Sequence, residues 1–336
     1  MSEEKARDDN DLAKAGELPD DPEDGTRLVA DGPRLTTVRD MLRGAYKSAT
    51  TPRQKRAATT GSYKLDNLTG GLRAGFTWVL LAETSWGKTS HTIEMADENL
   101  KRGGRVLIVS CEDAPAVYGA RLLARRARVN ANRLRDGKLE PDEISRAMAA
   151  VERAEPVPVY LDAIGKSAEW ILRQLPMIVR AYGIDVVVID YLQVVHTIAR
   201  HEDRRLALAW IADQFRACIK QLGVTGVLVS QLTPQQGVKP SKYSVRDSKD
   251  IVHGAEVVAV GYYTEEGAKT RDGTPIPAHS RAICIDKNKD GPLGSVILNW
   301  DEDCACFRDD VDKAYDGMSD MHDRLDDFDE LDRRAP

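Results

Sequence analysis

Residues Ala82–Thr89 read AETSWGKT. The run closes an apolar stretch and opens a helical pattern, the context in which a glycine-bearing loop wraps phosphate. Backbone N–H groups of such a loop curl around phosphate oxygens, and the helix N-terminus adds partial positive charge. Ser85, Trp86, Gly87, Lys88, Thr89 and Ser90 are therefore the candidate nucleotide-binding residues. Lys88 is placed to reach the β- and γ-phosphates of ATP, and the Thr89 hydroxyl to ligate Mg²⁺. The strict pattern has Gly where Ala82 stands, but the GKT core is intact. A second apolar run ends at Ser110 and is followed by Cys111, Glu112 and Asp113. Ligands of an α/β sheet lie beyond the carboxyl ends of its strands, so Glu112 can orient and deprotonate an attacking water. The plainer reading of Glu112 alone is an acid stabilised by a helix dipole. A third run, Val186–Ile189, ends in Asp190, a second holder of Mg²⁺ through water. A fourth ends in Ser230 and Gln231, where an amide can hydrogen-bond the γ-phosphate and sense its loss. Four strand ends, each with a suitable polar group, outweigh any one of them.

The elements that must position these groups follow from apolar periodicity. Strands are predicted at 76–82, 105–110, 157–161, 184–190, 224–230, 257–262, 281–285 and 295–299. Helices are predicted at about 88–102, 113–128, 140–153, 166–182 and 204–222. Strands alternating with helices imply an α/β fold: a doubly wound, mostly parallel sheet with helices on both faces. The last three strands come without long helices, which predicts an antiparallel edge. Residues 1–34 lack apolar period and read as a disordered acidic segment. Residues 35–49 carry Val38, Met41, Leu42 and Tyr46 at helical spacing, and 50–60 read as a basic linker. The ATPase domain is assigned to 61–300 and an acidic tail to 301–336.

The chain has 336 residues, 42% hydrophobic and 30% charged, enough apolar residue for a large core. No apolar run approaches the roughly 18 residues of a membrane span, so no membrane partner is expected. The start, Met1-Ser2-Glu3-Glu4, resembles neither a secretory signal nor a transit peptide. Five cysteines without a paired spacing fit a reduced, cytoplasmic setting rather than a zinc site. The net charge of −6 is uneven: residues 1–34 carry −6, 301–336 carry −9, and 35–300 carry +9. A basic body with acidic ends suits a polyanion binder with detachable arms, or simply solubilising tails.

The motifs together resemble hexameric replicative helicases of the DnaB type, within the RecA-like P-loop ATPases, over about residues 61–300. TGGLRAG (69–75), IVSCED (108–113), RLLARRARVNANRLRDGKL (121–139), VVIDYLQVV (187–195), LVSQL (228–232), VRDSKDI (245–251) and IDKNKDGPLG (285–294) carry the resemblance in order and spacing. It implies that Glu112 is the catalytic glutamate, Asp190 the metal-linked acid and Gln231 the γ-phosphate sensor. Arg246, Asp247 and Lys249 fall in the DNA-backbone loop, with Lys249 in place of the usual glycine. Lys289, with Lys287 two residues before it, stands at the arginine-finger position and would serve the neighbouring subunit's site. A lysine supplies charge without the planar fork of arginine.

By this resemblance the family's large N-terminal helical domain is expected to be missing, with about 60 residues in its place. The function implied is an ATP-dependent helicase of DNA replication, moving 5′-to-3′ on single-stranded or forked DNA. A homo-oligomer, a hexamer by resemblance, would complete each ATP site, with a primase or helicase loader as partner. Two alternatives stay open: a RecA- or RadA-like recombination ATPase, and a helicase-like DNA-binding or loader-interaction protein with weak motor activity. The stretch Arg200–Arg205 is a candidate second DNA loop. Arg125, Arg126 and Arg128 read as an exposed helix face.

Overall fold

The computed structural model of the protein describes residues 26–27, 35–39, 41–43, 46, 58–157, 159–232, 249–265, 267, 275–276 and 279–308. Contacts divide the chain into two units, 1–56 and 57–336. In the first unit, Thr26–Arg27 pairs antiparallel with Leu35–Thr36. Helical residues follow at 38–39, 41–43 and 46. The Met41 N–H donates to Thr37 O at 3.0 Å, so the helix starts after Thr37 and Leu35 and Thr36 belong to a strand instead. Val38, Met41, Leu42 and Tyr46 are all exposed.

The second unit runs α1 (Tyr63–Thr69), β1 (Thr77–Ala82), α2 (Lys88–Lys101), β2 (Val106–Ser110), α3 (Pro115–Ala127), α4 (Ala131–Arg135), α5 (Pro141–Glu152), β3 (Tyr160–Asp162), α6 (Ala168–Tyr182), β4 (Val186–Asp190), α7 (Arg204–Leu222), β5 (Thr225–Gln231), α8 (Lys249–His253), β6 (Val257–Tyr263), β7 (Arg281–Asn288) and β8 (Gly294–Ile297). A hairpin of β9 (Trp300–Asp301) and β10 (Cys306–Phe307) closes the described chain. The eight-stranded sheet has the order β8-β7-β6-β1-β5-β4-β2-β3. Strands β6 through β3 in that order are parallel, and β7 and β8 pair antiparallel at one edge. The antiparallel edge is thus two strands rather than three, because β6 pairs parallel with β1.

Every residue of β1, β2 and β4 is buried, which is why these segments read as continuous apolar runs. Their side chains still alternate. Val79, Leu81, Leu107, Val109, Val187 and Ile189 pack with Ile171, Leu175, Leu208, Ile211 and Phe215 of α6 and α7. Trp78, Leu80, Val106, Ile108, Val186 and Val188 face the opposite way, with Leu65 of α1 and Ile93 and Met95 of α2. The sheet is therefore sandwiched between helices, and the carboxyl ends of β1, β2, β4 and β5 emerge side by side.

Two segments outside the expected domain belong to it. Thr59 and Thr60 are buried, and Asn99 and Asp66 hold them. Burial raises the Asp66 carboxyl against the hydrogen bonds from Thr59 and Thr60 that lower it. The folded chain thus begins before residue 61. At the other end Phe307 is buried against Trp86, His91 and Trp300, at centroid distances of 5.1, 5.5 and 4.8 Å. The boundary at 300 leaves out a hairpin that packs on the loop between β1 and α2.

The arginines at 125–128 are not an exposed face. Arg125 is buried, with Nε 2.9 Å from Asp97 and Nη2 2.6 Å from Glu98, and Nη1 donates to Phe307 O. Arg126 bonds Asp97 at 2.6 Å and Glu155 at 2.8 Å. Only Arg128 of the three is exposed. Acids from α2 turn this stretch into an ion-paired joint between α2, α3 and the terminal hairpin.

Candidate active site

The loop between β1 and α2 turns on Gly87, whose φ of 109° is a conformation that favours glycine. Lys88 then opens α2, and its ammonium donates to the loop carbonyls of Ala82 (3.1 Å) and Glu83 (2.9 Å). Burial lowers the Lys88 pKa, against the pull of Asp190, Glu112 and Glu83. Tyr263 Oη donates to Ser85 O at 2.9 Å and Arg281 Nε to Trp86 O at 2.8 Å, so β6 and β7 brace the loop from outside.

A cavity of about 960 Å³ opens at the strand ends. Ser85, Gly87, Lys88, Thr89, Ser90, Glu112, Asp190 and Gln231 all line it. Four segments separated by up to about 150 residues therefore converge as the strand-end argument requires. Asp190 is 4% exposed. Burial raises its carboxyl, while hydrogen bonds from Tyr118 and Thr89 and the charge of Lys88 oppose the rise. The Tyr118 bond is 2.6 Å. A hydroxyl and a carboxylate brought together beside an ammonium are hard oxygen donors of the kind Mg²⁺ takes, so the residues present fit a magnesium nucleotide. Glu112 is exposed to the cavity, with Tyr191 Oη 3.5 Å away. The Gln231 amide donates to Thr84 Oγ1 at 2.5 Å, against the phosphate loop.

Trp86 is fully buried and points away from the cavity; its indole N–H donates to Tyr262 O at 3.1 Å. A Cβ on Gly261 would lie 2.7 Å from that ring, so Gly261 makes the space the indole fills. Ser90 donates to Ala305 O at 2.9 Å and accepts from Arg121 at 3.3 Å. Lys287 and Lys289 lie outside the cavity lining of their own chain. Lys287 donates to His253 O at 2.8 Å; Lys289 is exposed, with its backbone N–H on Glu256 O. Arg246 and Asp247 lie outside the described residues, and Lys249 is described only as the first residue of α8. In the 200–205 stretch, Arg204 is bound to the carbonyls of Gln193 and Val195.

The spacing missed Tyr118, Tyr191, Gln193, Arg121, Trp300 and Ala305. Gln193 lies in the quoted segment VVIDYLQVV, three residues after Asp190, and that adjacency was the available signal. Trp300 and Ala305 reach the cavity from the terminal hairpin and had none.

A phosphate loop on a central strand, with carboxylates on the ends of two other strands, places the chain in the class of RecA-like P-loop ATPase folds. Its family is narrower: the model of the DnaB-like helicase C-terminal domain matches residues 57–309, and the chain belongs to that family. It is 27% identical over 246 residues to the replicative DNA helicase DnaB of Geobacillus stearothermophilus, covering 71% of this chain and 53% of that protein. The replicative DNA helicase DnaC of Bacillus subtilis is 26% identical with the same coverage, and DnaB of Haemophilus influenzae is 26% identical over 74% of this chain and 54% of its own. The chain thus spans about half the length of the curated relatives it matches. A solved ATPase domain superposes with TM-score 0.69 at 20% identity, covering 81% of this chain and 98% of its own. A DnaB-like replicative helicase, described with its interactions with primase, gives TM-score 0.70 at 20% identity, covering 81% and 68%. Among the described residues, no helix is long and apolar enough to cross a membrane.

Proposed function

We propose that the protein is an ATP-driven DNA helicase of replication. The observation that carries this reading is the convergence of Lys88, Thr89, Glu112, Asp190 and Gln231 on one cavity in a chain of the DnaB-like helicase family. Lys88 and the loop amides hold the β- and γ-phosphates of ATP. Thr89, with Asp190 through water, would hold Mg²⁺, which neutralises charge between those phosphates when bound. Glu112 takes a proton from the attacking water, and Gln231 hydrogen-bonds the γ-phosphate until it leaves.

Assembly into a ring, a hexamer by family resemblance, is supported by two exposed apolar surfaces. One is Val38, Met41, Leu42 and Tyr46 of the first unit. The other is Ile144, Met148 and Val151 beside an apolar groove lined by Leu123, Leu139 and Ala147. In such a ring Lys287 and Lys289 serve the neighbour's ATP site, consistent with their absence from their own cavity. Arg246 and Lys249, with Asp247 between basic neighbours, are assigned to the backbone of single-stranded DNA. Contacts to phosphate predict little sequence preference and steep salt dependence. A primase or helicase loader is the proposed partner class, and a cytoplasmic setting the proposed location.

The test is strand displacement on a forked duplex with a 5′ tail in Mg-ATP, with Lys88→Ala as control. Unwinding that the control abolishes is the expected result, and a 3′-tailed fork then reads direction. Absence of unwinding together with absence of DNA-stimulated ATPase refutes the motor.

A further inference from the structure

The chain leaves β4 at Asp190 and forms a short turn, Leu192–Val194, before it reaches α7. Gln193 projects from this turn to the end of β5. Its amide nitrogen donates to Ser230 Oγ (2.7 Å) and Gln231 O (3.2 Å), and its amide oxygen accepts from Gln231 N (3.1 Å). One side chain thus holds both backbone polar groups of Gln231. Pairing of β5 with β4 ends at Leu228 opposite Ile189, so Gln193 continues the ladder where the strands themselves have stopped.

The anchor of this amide is itself fixed. Arg204, the first residue of α7, donates to the carbonyls of Gln193 (2.5 Å) and Val195 (3.0 Å). Farther along, Glu169 accepts from Thr197 Oγ1 and from Ile198 N at 3.0 Å, which ties the same segment to α6. A half-buried amide held at three points, on a turn held at two more, has little freedom to let the backbone of Gln231 drift.

We infer that Gln193 is the positioning residue for the γ-phosphate sensor: it fixes the backbone of Gln231 so that the sensor amide points across the cavity at the phosphate loop. The inference rests on the proposed sensor role of Gln231. Gln193 sits on the exit of the Asp190 strand and grips the exit of the Gln231 strand. It therefore locks the metal-holding and sensing strands into one register without touching nucleotide.

The experiment uses the full chain with Gln193→Ala, Gln193→Glu, Gln231→Ala and the Gln193→Ala/Gln231→Ala double variant. It reads equilibrium MgATP binding and ATPase kcat and KM with oligothymidylate present. Gln193→Ala is expected to lower kcat about tenfold, the worth of roughly one hydrogen bond in the transition state, with MgATP affinity within about threefold of the parent. Gln193→Glu keeps the acceptor for Gln231 N and should recover part of kcat. In the Gln231→Ala background, Gln193→Ala should cost nothing further. A kcat loss that multiplies in the double variant, or a loss of MgATP affinity equal to the loss of kcat, overturns the positioning role while leaving the sensor in place. An unchanged kcat in Gln231→Ala overturns the sensor and with it the inference.

Discussion

Tyr118→Phe removes a single oxygen from the site and is the sharpest probe of Asp190, the carboxylate proposed to hold the metal. The ring packs edge-on against Tyr160 at 5.3 Å, and phenylalanine keeps that contact. What disappears is the 2.6 Å hydrogen bond to Asp190. Asp190 is buried and its carboxyl is already raised, so its ionised form depends on Tyr118, Thr89 and Lys88. A hydrogen bond to a charged group contributes about 1.5–3 kcal/mol. Losing it from the ionised form alone should raise the Mg²⁺ concentration for half-maximal ATPase about 10- to 100-fold. In the absence of nucleotide and metal, Asp190 can take up a proton instead, so the melting temperature should move by only a few degrees. The assay is ATPase rate against free Mg²⁺ at fixed ATP, beside a thermal melt without nucleotide. An unchanged Mg²⁺ dependence would show that Asp190 does not hold the metal or that Tyr118 does not support it. A large drop in melting temperature with the Mg²⁺ dependence unchanged would make Tyr118 a packing residue.

Glu112→Ala should still bind MgATP in a filter or calorimetric assay while turnover falls by about 10²–10⁴-fold, the usual contribution of a general base. Arg125→Ala takes the buried guanidinium away from Glu94, Asp97 and Glu98, while Asp97 keeps Arg126 and Lys101; the broken buried network should cost about 3–5 kcal/mol, on the order of 10 °C in melting temperature. Burial by itself would raise the Asp97 carboxyl, but Lys101, Arg126 and Arg125 hold it below its ordinary value. Its stabilising contribution is therefore present at neutral pH and is lost as pH falls below about 4, through its depressed folded value. Asp97→Asn should lower stability at pH 7 and flatten that acid limb, read by denaturant melts between pH 3 and 7. Gly261→Ala puts a methyl 2.7 Å from the Trp86 indole and 2.9 Å from Ala82 Cβ. Overpacking of this kind costs about 1–3 kcal/mol, visible in the same melts.

The parts of this protein that local spacing encodes were legible in the sequence. A buried parallel strand is a short unbroken apolar run, and the residue where the run stops sits at the carboxyl edge of the sheet. Lys88, Glu112, Asp190 and Gln231 could therefore be placed at strand ends with no knowledge of which strands are neighbours. What the sequence did not contain is the partner of each face. Arg125 and Arg126 look like solvated charges along α3; only the packing of α3 on α2 supplies Asp97 and Glu98 and draws Arg125 inside. Trp86 sits among phosphate-loop residues in the chain, yet the gap at Gly261, 175 residues later, turns its ring into the core. The terminal hairpin follows an apolar strand by a few residues and carries many acids, so it read as tail; Phe307 shows otherwise by packing on the loop. Tyr118, on a helix, and Gln193, on a turn, gain their roles from oxygen and nitrogen atoms at the ends of strands. Periodicity records whether a residue is inside or outside one element. Which distant element it meets there is set by the tertiary fold, because contact energies depend on three-dimensional neighbours that spacing along the chain does not specify.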